Sequence, residues 1–486
     1  MIEAPHSLLL CEIAKNALVA PDRIALVDGT ARVSYAQLIQ RIESTAHYLN
    51  SLGLKPGDRM LILAQKEHQF VYLYLAAHLL GVVNVVVDSA SPRERLDYIL
   101  EVTSPAVLFG IGLDVPGKRC FPLDGIPVDS VSVEIAVPPI TGDAVADVMF
   151  TTGTTGNPKG VCLSHDNIIG SAHNTNGFIG TVGEDVEALA LPLSHSFGLG
   201  RLRCALIAGA TLVLVNNFAN LKSFFDVIDS EGVTGFGMVP AVWQYIKRLS
   251  GRRIARFAGQ LRYIEIGSAA LPLEDKEMLI EMFPTTRLCM HYGLTEASRA
   301  MFIEFHECAS HLDAIGRPVS RSVDVCVLDE FGNSLPDGQD GEICVRGNMV
   351  TRSYFLPKDN EGAFFGEWFR TGDWGHRDED GVFYLTGRKK ELINIGGEKV
   401  SPATIEEAIK AIGIPDCACI AVPDPNGVLG EVPKAYLVRG DSALELDDIR
   451  RRLQQVLPAN EIPVQWEWVD AIPRTSSGKI QRLKLK

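Results

Sequence analysis

Apolar residues recur along the first half of this 486-residue chain in two alternating rhythms. Helical spacing runs through residues 35–52 and 93–101, and short unbroken apolar runs occupy 59–64 and 106–110. That alternation predicts βαβ units and therefore a parallel sheet. Residues 70–87 carry no charge, yet they include His78, Gly81 and Asn84 and fall short of the ~20 apolar residues that a membrane span needs. Gly81 is expected to end a helix, and the β-branched run 82–87 to form a buried parallel strand. Further apolar segments at 147–150, 189–193, 211–215, 235–239, 263–267 and 287–292 end at Gly, Pro or polar residues. In open α/β sheets, ligands gather at such strand ends.

After Gly332 the pattern changes to Gly- and Asp-rich turns between short strands at 341–346 and 381–385, which predicts a β-rich element. Beyond Gly387, residues 404–412, 417–422, 434–438 and 447–457 read as helix, strand, strand and helix. The expected architecture is a large N-terminal α/β domain, residues 1–387, that includes the β-rich subdomain. A small, mobile α+β domain follows, residues 388–486. No internal repeat, low-complexity tract or long linker interrupts it.

Composition narrows the function. With 46% hydrophobic and 22% charged residues the chain can bury a large core, and a net charge of -14 argues against a nucleic-acid partner. Of the 10 cysteines only Cys417 and Cys419 lie close together, without the paired spacing of a zinc or redox site, so reduced thiols are expected. Leu8-Leu9-Leu10-Cys11 is too short for a signal-peptide core and continues into an amphipathic pattern through Ile13, Ala14, Ala17 and Leu18. A cytoplasmic protein is the expectation.

The chemistry concentrates at Phe150-Thr-Thr-Gly-Thr-Thr-Gly-Asn-Pro-Lys-Gly160, directly after a predicted strand. Here the hydroxyls of Thr151, Thr152, Thr154 and Thr155, the glycines Gly153, Gly156 and Gly160, and Lys159 fall within ten residues. Backbone N–H groups bared by glycine, hydroxyls and an ammonium can together surround a polyphosphate. The segment is not a Walker A loop, because Gly153 and Gly156 are too close and Gly160 follows Lys159.

This loop resembles the phosphate-binding motif of the adenylate-forming superfamily of acyl-CoA synthetases, peptide-synthetase adenylation domains and luciferases. Leu191-Pro-Leu-Ser-His-Ser-Phe-Gly198, Gly267-Ser-Ala-Ala-Leu271, His291-Tyr-Gly-Leu-Thr-Glu296 and Gly341-Glu-Ile-Cys-Val-Arg-Gly347 resemble its middle motifs. Trp368-Phe-Arg-Thr-Gly-Asp-Trp374, Gly387-Arg-Lys-Lys-Glu-Leu-Ile393 and Pro473-Arg-Thr-Ser-Ser-Gly-Lys479 resemble its late ones, in order along nearly the whole chain. The resemblance implies binding of ATP with Mg²⁺ and stepwise activation of a carboxylic acid. Tyr292 would stack on adenine, flanked by His291, Gly293 and Thr295, with Gly267, Ser268, Ala269 and Ala270 lining the other side. Glu296 would bind Mg²⁺, a hard cation that favours carboxylate oxygen. Asp373 would accept from the ribose hydroxyls, and Arg388 would pair with ribose or phosphate.

Further roles follow from the same resemblance. Lys479 would offset the repulsion between the attacking carboxylate and the α-phosphate. His195 would stand beside the acyl carboxylate as a gate; taken alone it reads equally as a core histidine. Lys390 occupies the hinge position, from which rotation would bring Gly396 and Gly397 to the acceptor channel. One departure is Thr404, where the family often has Glu; that position reads as a helix cap.

Amino-acid-activating relatives carry an Asp where this chain has Ser196, so a substrate ammonium would be left unpaired in a dry pocket. An aliphatic or aryl acid without an α-amino group is expected. Phe197, Val239 and Trp243 are the candidate pocket walls, with core filling the alternative for Trp243. No phosphopantetheine attachment sequence is present, so the acceptor is coenzyme A or the phosphopantetheine of a free-standing carrier protein. The motif style favours an acid–CoA ligase, with carrier loading, amide formation and a luciferase-like oxidation as alternatives. A non-catalytic regulator is disfavoured, since Lys159, Glu296, Asp373, Arg388 and Lys479 are all present.

Overall fold

The computed structural model describes residues 9–65, 67–110, 112, 114–128, 137–151, 158–395, 398–425, 429–440, 444–474 and 480–485. Two large sheets carry the N-terminal part. The 9-stranded sheet has a parallel centre formed by Arg287–Tyr292, Tyr263–Ile266, Gly235–Met238, Val186–Leu189, Thr211–Leu214 and Ile24–Asp28. The 7-stranded sheet has a parallel centre of Val145–Phe150, Val83–Asp88, Arg59–Ala64, Val107–Phe109 and Cys120–Phe121. Antiparallel strands close both edges of the first sheet and one edge of the second.

A 5-stranded antiparallel sheet follows, built from Val323–Leu328, Gly341–Gly347, Trp368–Arg377, Phe364–Phe365 and Phe383–Arg388. The last part contains the pair Ile393–Ile395 and Glu398–Val400, and a 3-stranded sheet of Asp416–Pro423, Glu431–Val438 and Gln465–Val469. Its helices, Pro402–Ala411 and Leu446–Leu453, bury Ile405, Ile409, Ile449 and Leu453 in a core of their own. The expected α/β layers, β-rich element and small α+β unit are all present.

The uncharged stretch at 70–87 proves to be the molecule's interior. Helix His68–Leu79 is buried at every residue from Phe70 onward, Gly81 takes φ +68°, and Val83–Asp88 pairs in parallel on both sides. A helix apolar all round must be covered all round. No described helix is long and apolar enough to cross a membrane, and all ten cysteines are free thiols.

Three differences from the sequence expectation have physical causes. The strand expected at 189–193 is Val186–Leu189 instead. Glu187, wholly buried and bonded to Arg201, disguised the true strand, and Pro192 cannot donate to a ladder. Thr404 is not the cap of its helix: Ser401 holds that position, Pro402 opens the helix, and Thr404 lies exposed in the first turn. The strand Gln465–Val469, which joins the C-terminal sheet in parallel, was not anticipated.

A buried polar cluster ties the layers together. Asp147, on Val145–Phe150, accepts from Tyr74 Oη at 2.8 Å, lies 2.9 Å from His78 Nε2 and pairs with Arg203 of helix Ser196–Ala208. Burial alone would lift its carboxyl. The charge of Arg203, with His78 and Tyr74, outweighs burial and holds the carboxyl at about 2, below its ordinary 3.8. A folded value below the unfolded one stabilises the fold fully above about pH 4, and that contribution fades as pH falls toward 2. Arg203→Met strands the carboxylate and is expected to lower unfolding stability at pH 7 by about 3–5 kcal/mol. Urea unfolding between pH 7 and 3 checks both statements: the variant should show a shallower acid-side slope than the wild type, by the share that Asp147 contributes.

Candidate active site

Two neighbouring parallel strands, Tyr263–Ile266 and Arg287–Tyr292, end side by side with Ile266 opposite Met290. The backbone then turns sharply. A Cβ on Gly267 would stand 2.0 Å from Cε1 of His291, so no other residue fits there without displacing that ring. Ser268 takes φ +76°, a left-handed conformation that costs a non-glycine residue about 1 kcal/mol or more. Ala269 and Ala270 follow, the latter exposed.

Beyond Tyr292 the chain folds into a tight reversal closed by Leu294 N–H to the Ala297 carbonyl at 3.0 Å. Gly293 is required, because a Cβ would come within 2.4 Å of the Arg299 nitrogen. Arg299 (φ +57°) staples the reversal down: Nε donates to Glu265 at 2.7 Å and Nη2 to the Phe197 carbonyl at 2.9 Å. Glu265 also meets Arg201 Nη1 at 3.1 Å and lies 2.7 Å from His291 Nδ1. Burial would raise the Glu265 carboxyl, but the charges of Arg299 and Arg201 keep it far below the usual carboxylate range. Burial pushes His291 the other way, below the ordinary histidine value, so its ring is neutral.

The Tyr292 hydroxyl donates to Asp373 Oδ2 at 2.5 Å, and Arg388 Nε reaches Asp373 Oδ1 at 2.6 Å. Asp373 and Arg388 are cross-strand partners of the 5-stranded sheet, and Asp373 is 1% exposed. Burial, then the charge of Asp373, raises the Tyr292 phenol well above its ordinary value and keeps it a donor. Three residues predicted to meet the nucleoside thus converge from two sheets.

A second group adjoins this one. Four residues after Tyr292, Glu296 is 9% exposed and accepts from the Tyr354 hydroxyl at 2.7 Å. Lys159 Nζ sits 4.7 Å from the centre of the Tyr354 ring and 3.5 Å from the Asp359 carbonyl. The strand pair Ser353–Tyr354 and Gly160–Ser164 places Tyr354 between them. Thr151 and Lys159 are joined by an N–H to carbonyl bond of 2.9 Å. Thr152, Gly153, Thr154, Thr155, Gly156, Gly396, Gly397 and Lys479 lie outside the described residues.

The predicted acid pocket is partly assembled. Phe197 meets His291 edge-on, ring centres 4.6 Å apart, and Gly267 lies against the same imidazole. His195 occupies the N-cap position of helix Ser196–Ala208, half-buried like Ser196. Val239 is half-buried at the cap of helix Pro240–Ser250, whereas Trp243 is fully buried and fills the core. Thr295 is half-buried in the reversal, and Lys390 is exposed in the turn between Phe383–Arg388 and Ile393–Ile395.

Sequence reasoning missed Tyr354, Glu265 and Arg299. A two-residue strand carries no periodicity to betray Tyr354. Glu265 did leave a signal, a lone acid inside an apolar strand, which a buried position tolerates only when paired.

The sequence profile described as AMP-binding enzyme matches residues 13–355, and the profile of the AMP-binding enzyme C-terminal domain matches residues 404–479. The chain belongs to the AMP-binding enzyme family. It is 30% identical over 488 residues to the 2-succinylbenzoate–CoA ligase of Bacillus licheniformis, covering 97% of this chain and 98% of that one. A feruloyl-CoA synthase of Amycolatopsis is 29% identical over 485 residues, with 96% of each covered. Among solved structures, o-succinylbenzoate CoA synthetase from Bacillus subtilis with its acyl-adenylate intermediate superposes with a TM-score of 0.88 at 27% identity, covering 98% of this chain and 97% of that one. The same enzyme with ATP and a magnesium ion gives a TM-score of 0.87, with 27% identity and 98% of each chain covered. The adenylate-forming fold and the reading as an AMP-forming acid–thiol ligase are borne out.

As an AMP-binding enzyme the chain offers Glu296 a role that Tyr354 would tune, since a hydrogen-bonded neighbour orients a metal-binding carboxylate. The hard oxygen of Glu296, beside a lysine suited to phosphate, fits Mg²⁺. In Tyr354→Phe the Mg²⁺ concentration for half-maximal AMP formation is expected to rise about tenfold. A magnesium titration of wild type and variant checks this.

Proposed function

We propose that this enzyme activates a carboxylic acid lacking an α-amino group as its acyl-adenylate and passes the acyl group to coenzyme A. The observation that carries the reading is Asp373, a buried carboxylate held between Tyr292 and Arg388 at the end of the parallel sheet. A carboxylate in that position can accept from the two ribose hydroxyls while the Tyr292 ring faces the base.

In the first step the substrate carboxylate oxygen attacks the α-phosphorus of ATP, and the bond from phosphorus to the bridging oxygen breaks to release pyrophosphate. Lys159 and Lys479 counter the charge that two approaching anions create. Mg²⁺, held through Glu296, neutralises phosphate charge when bound. In the second step a thiolate sulfur attacks the acyl carbonyl and AMP departs. His195 stands at the acid's approach. Residues 1–387 form the binding core in this reading, and 388–486 turn about Lys390 to exchange Lys479 for Gly396 and Gly397.

Two features favour an acid without an amine. Ser196 is neutral, and the carboxylates beneath the pocket, Glu187 and Glu265, are already matched by Arg201 and Arg299. An ammonium would find no free counter-charge there among the described residues. The names of the relatives, 2-succinylbenzoate–CoA ligase and feruloyl-CoA synthase, support aromatic acids as the first to test.

Acid-dependent ATP–pyrophosphate exchange should respond to aryl or aliphatic acids and stay at background with α-amino acids. Strong exchange with amino acids alone would overturn the substrate class. Adding coenzyme A should then yield thioester, whereas product formed only with a phosphopantetheinylated carrier protein would reassign the acceptor. Lys479→Ala is expected to slow exchange by about 10²–10³-fold. Thioester formation from supplied acyl-AMP should fall less than about tenfold, and equal loss in both halves would refute the exchange of Lys479 between steps.

A further inference from the structure

Arg95 lies outside every motif that pointed to the reaction. It sits in the first turn of helix Arg93–Thr103, where the helix dipole disfavours a cation. It is half-buried and forms no ion pair with a described residue. Nη2 instead donates to two main-chain carbonyls, that of Phe150 at 3.3 Å and that of Thr151 at 3.1 Å. Burial works against its charge, and Asp88 partly offsets this from the end of the adjoining parallel strand, Val83–Asp88.

These contacts have a direction. Phe150 ends its strand, and Thr151 is the first residue of the glycine-rich loop. Thr151 in turn holds Lys159: its N–H donates to the Lys159 carbonyl at 2.9 Å, and its hydroxyl oxygen accepts from the Lys159 N–H at 3.3 Å. Arg95 therefore grips the strand end on which both the entry and the exit of the loop are fastened. It does so with a cation whose charge no described carboxylate cancels at contact distance.

We propose that Arg95 is a positioning residue for the triphosphate of ATP. It fixes, through two carbonyls, the strand end from which the phosphate loop departs and adds a positive charge at that strand end. This rests on the assignment of that loop to the phosphates. Main-chain carbonyls anchored by a guanidinium cannot rotate toward an incoming phosphate, which they would repel. Loss of the anchor should therefore weaken the binding of phosphates and spare the binding of the nucleoside.

Calorimetric binding of ATP and of adenosine to the full-length wild type, Arg95→Met and Arg95→Lys tests this, alongside kinetics of acid-dependent exchange. Arg95→Met should bind ATP about tenfold more weakly, one step of RT ln 10, with adenosine affinity within about twofold of the wild type. KM for ATP should rise with it while KM for the acid stays unchanged. Arg95→Lys, which keeps the charge and one donor, should recover part of the loss. Parallel weakening of ATP and adenosine, or a wild-type preference for ATP that Arg95→Met leaves intact, would overturn the proposal. A wild type that binds ATP no better than adenosine would instead overturn the loop assignment beneath it. Should Arg95→Met fail to fold, Arg95→Ala, which likewise removes both the charge and the donors, carries the same comparison.

Discussion

The geometry of the site depends on a balanced set of charges sealed beneath it. Glu187 and Glu265 stand on two strands of the 9-stranded sheet, and Arg201 and Arg299 reach them from a helix and from the reversal after Tyr292. Each carboxylate is matched by a guanidinium, so the group carries no net charge into a dry interior, and removing any one member would leave an uncompensated ion there. The arrangement also fixes direction. Guanidinium forks accept little angular freedom, so Arg299 sets where the reversal lies and with it where Tyr292 and Glu296 emerge.

Above that floor the end of the site proposed for the nucleoside is assembled from two sheets of different character. The parallel sheet delivers Tyr292 at a strand end, and the antiparallel sheet delivers Asp373 and Arg388 as cross-strand neighbours. Their meeting point is one carboxylate. A hydroxyl and a guanidinium approach it in the structure, one at each oxygen, which leaves a carboxylate room for further donors.

Much of this was legible in the sequence, and the limits follow from the same physics. Apolar runs bounded by Gly or Pro located most strands of the two parallel centres to within a residue or two, because a strand buried on two faces has little choice of composition. Motif order singled out Tyr292, Asp373 and Arg388, which the structure brings together, and Glu296, which it places beside Tyr354. What failed to show was any residue whose role arises only from a partner distant in the chain. Glu187 looked too polar for a strand, and its neighbours Leu191 and Leu193 looked apolar enough to be one. Arg203 and Asp147, far apart in sequence, gave no hint of one another. Tyr354 sat in a segment too short for periodicity and acquires meaning only between Lys159 and Glu296.

The closeness of Gly267 to the His291 ring bears on how the range of acids could be changed in this scaffold. The floor of the pocket cannot be raised at 267, since even a methyl group has no volume to occupy. Shape there is set from the side by Phe197 and His291, whose rings meet edge to face. His291 also touches Glu265, so replacing it would unsettle the charges below. The Phe197 ring lies under the Arg299 guanidinium, 5.1 Å from its centre, so a change at either ring is felt by the charges below.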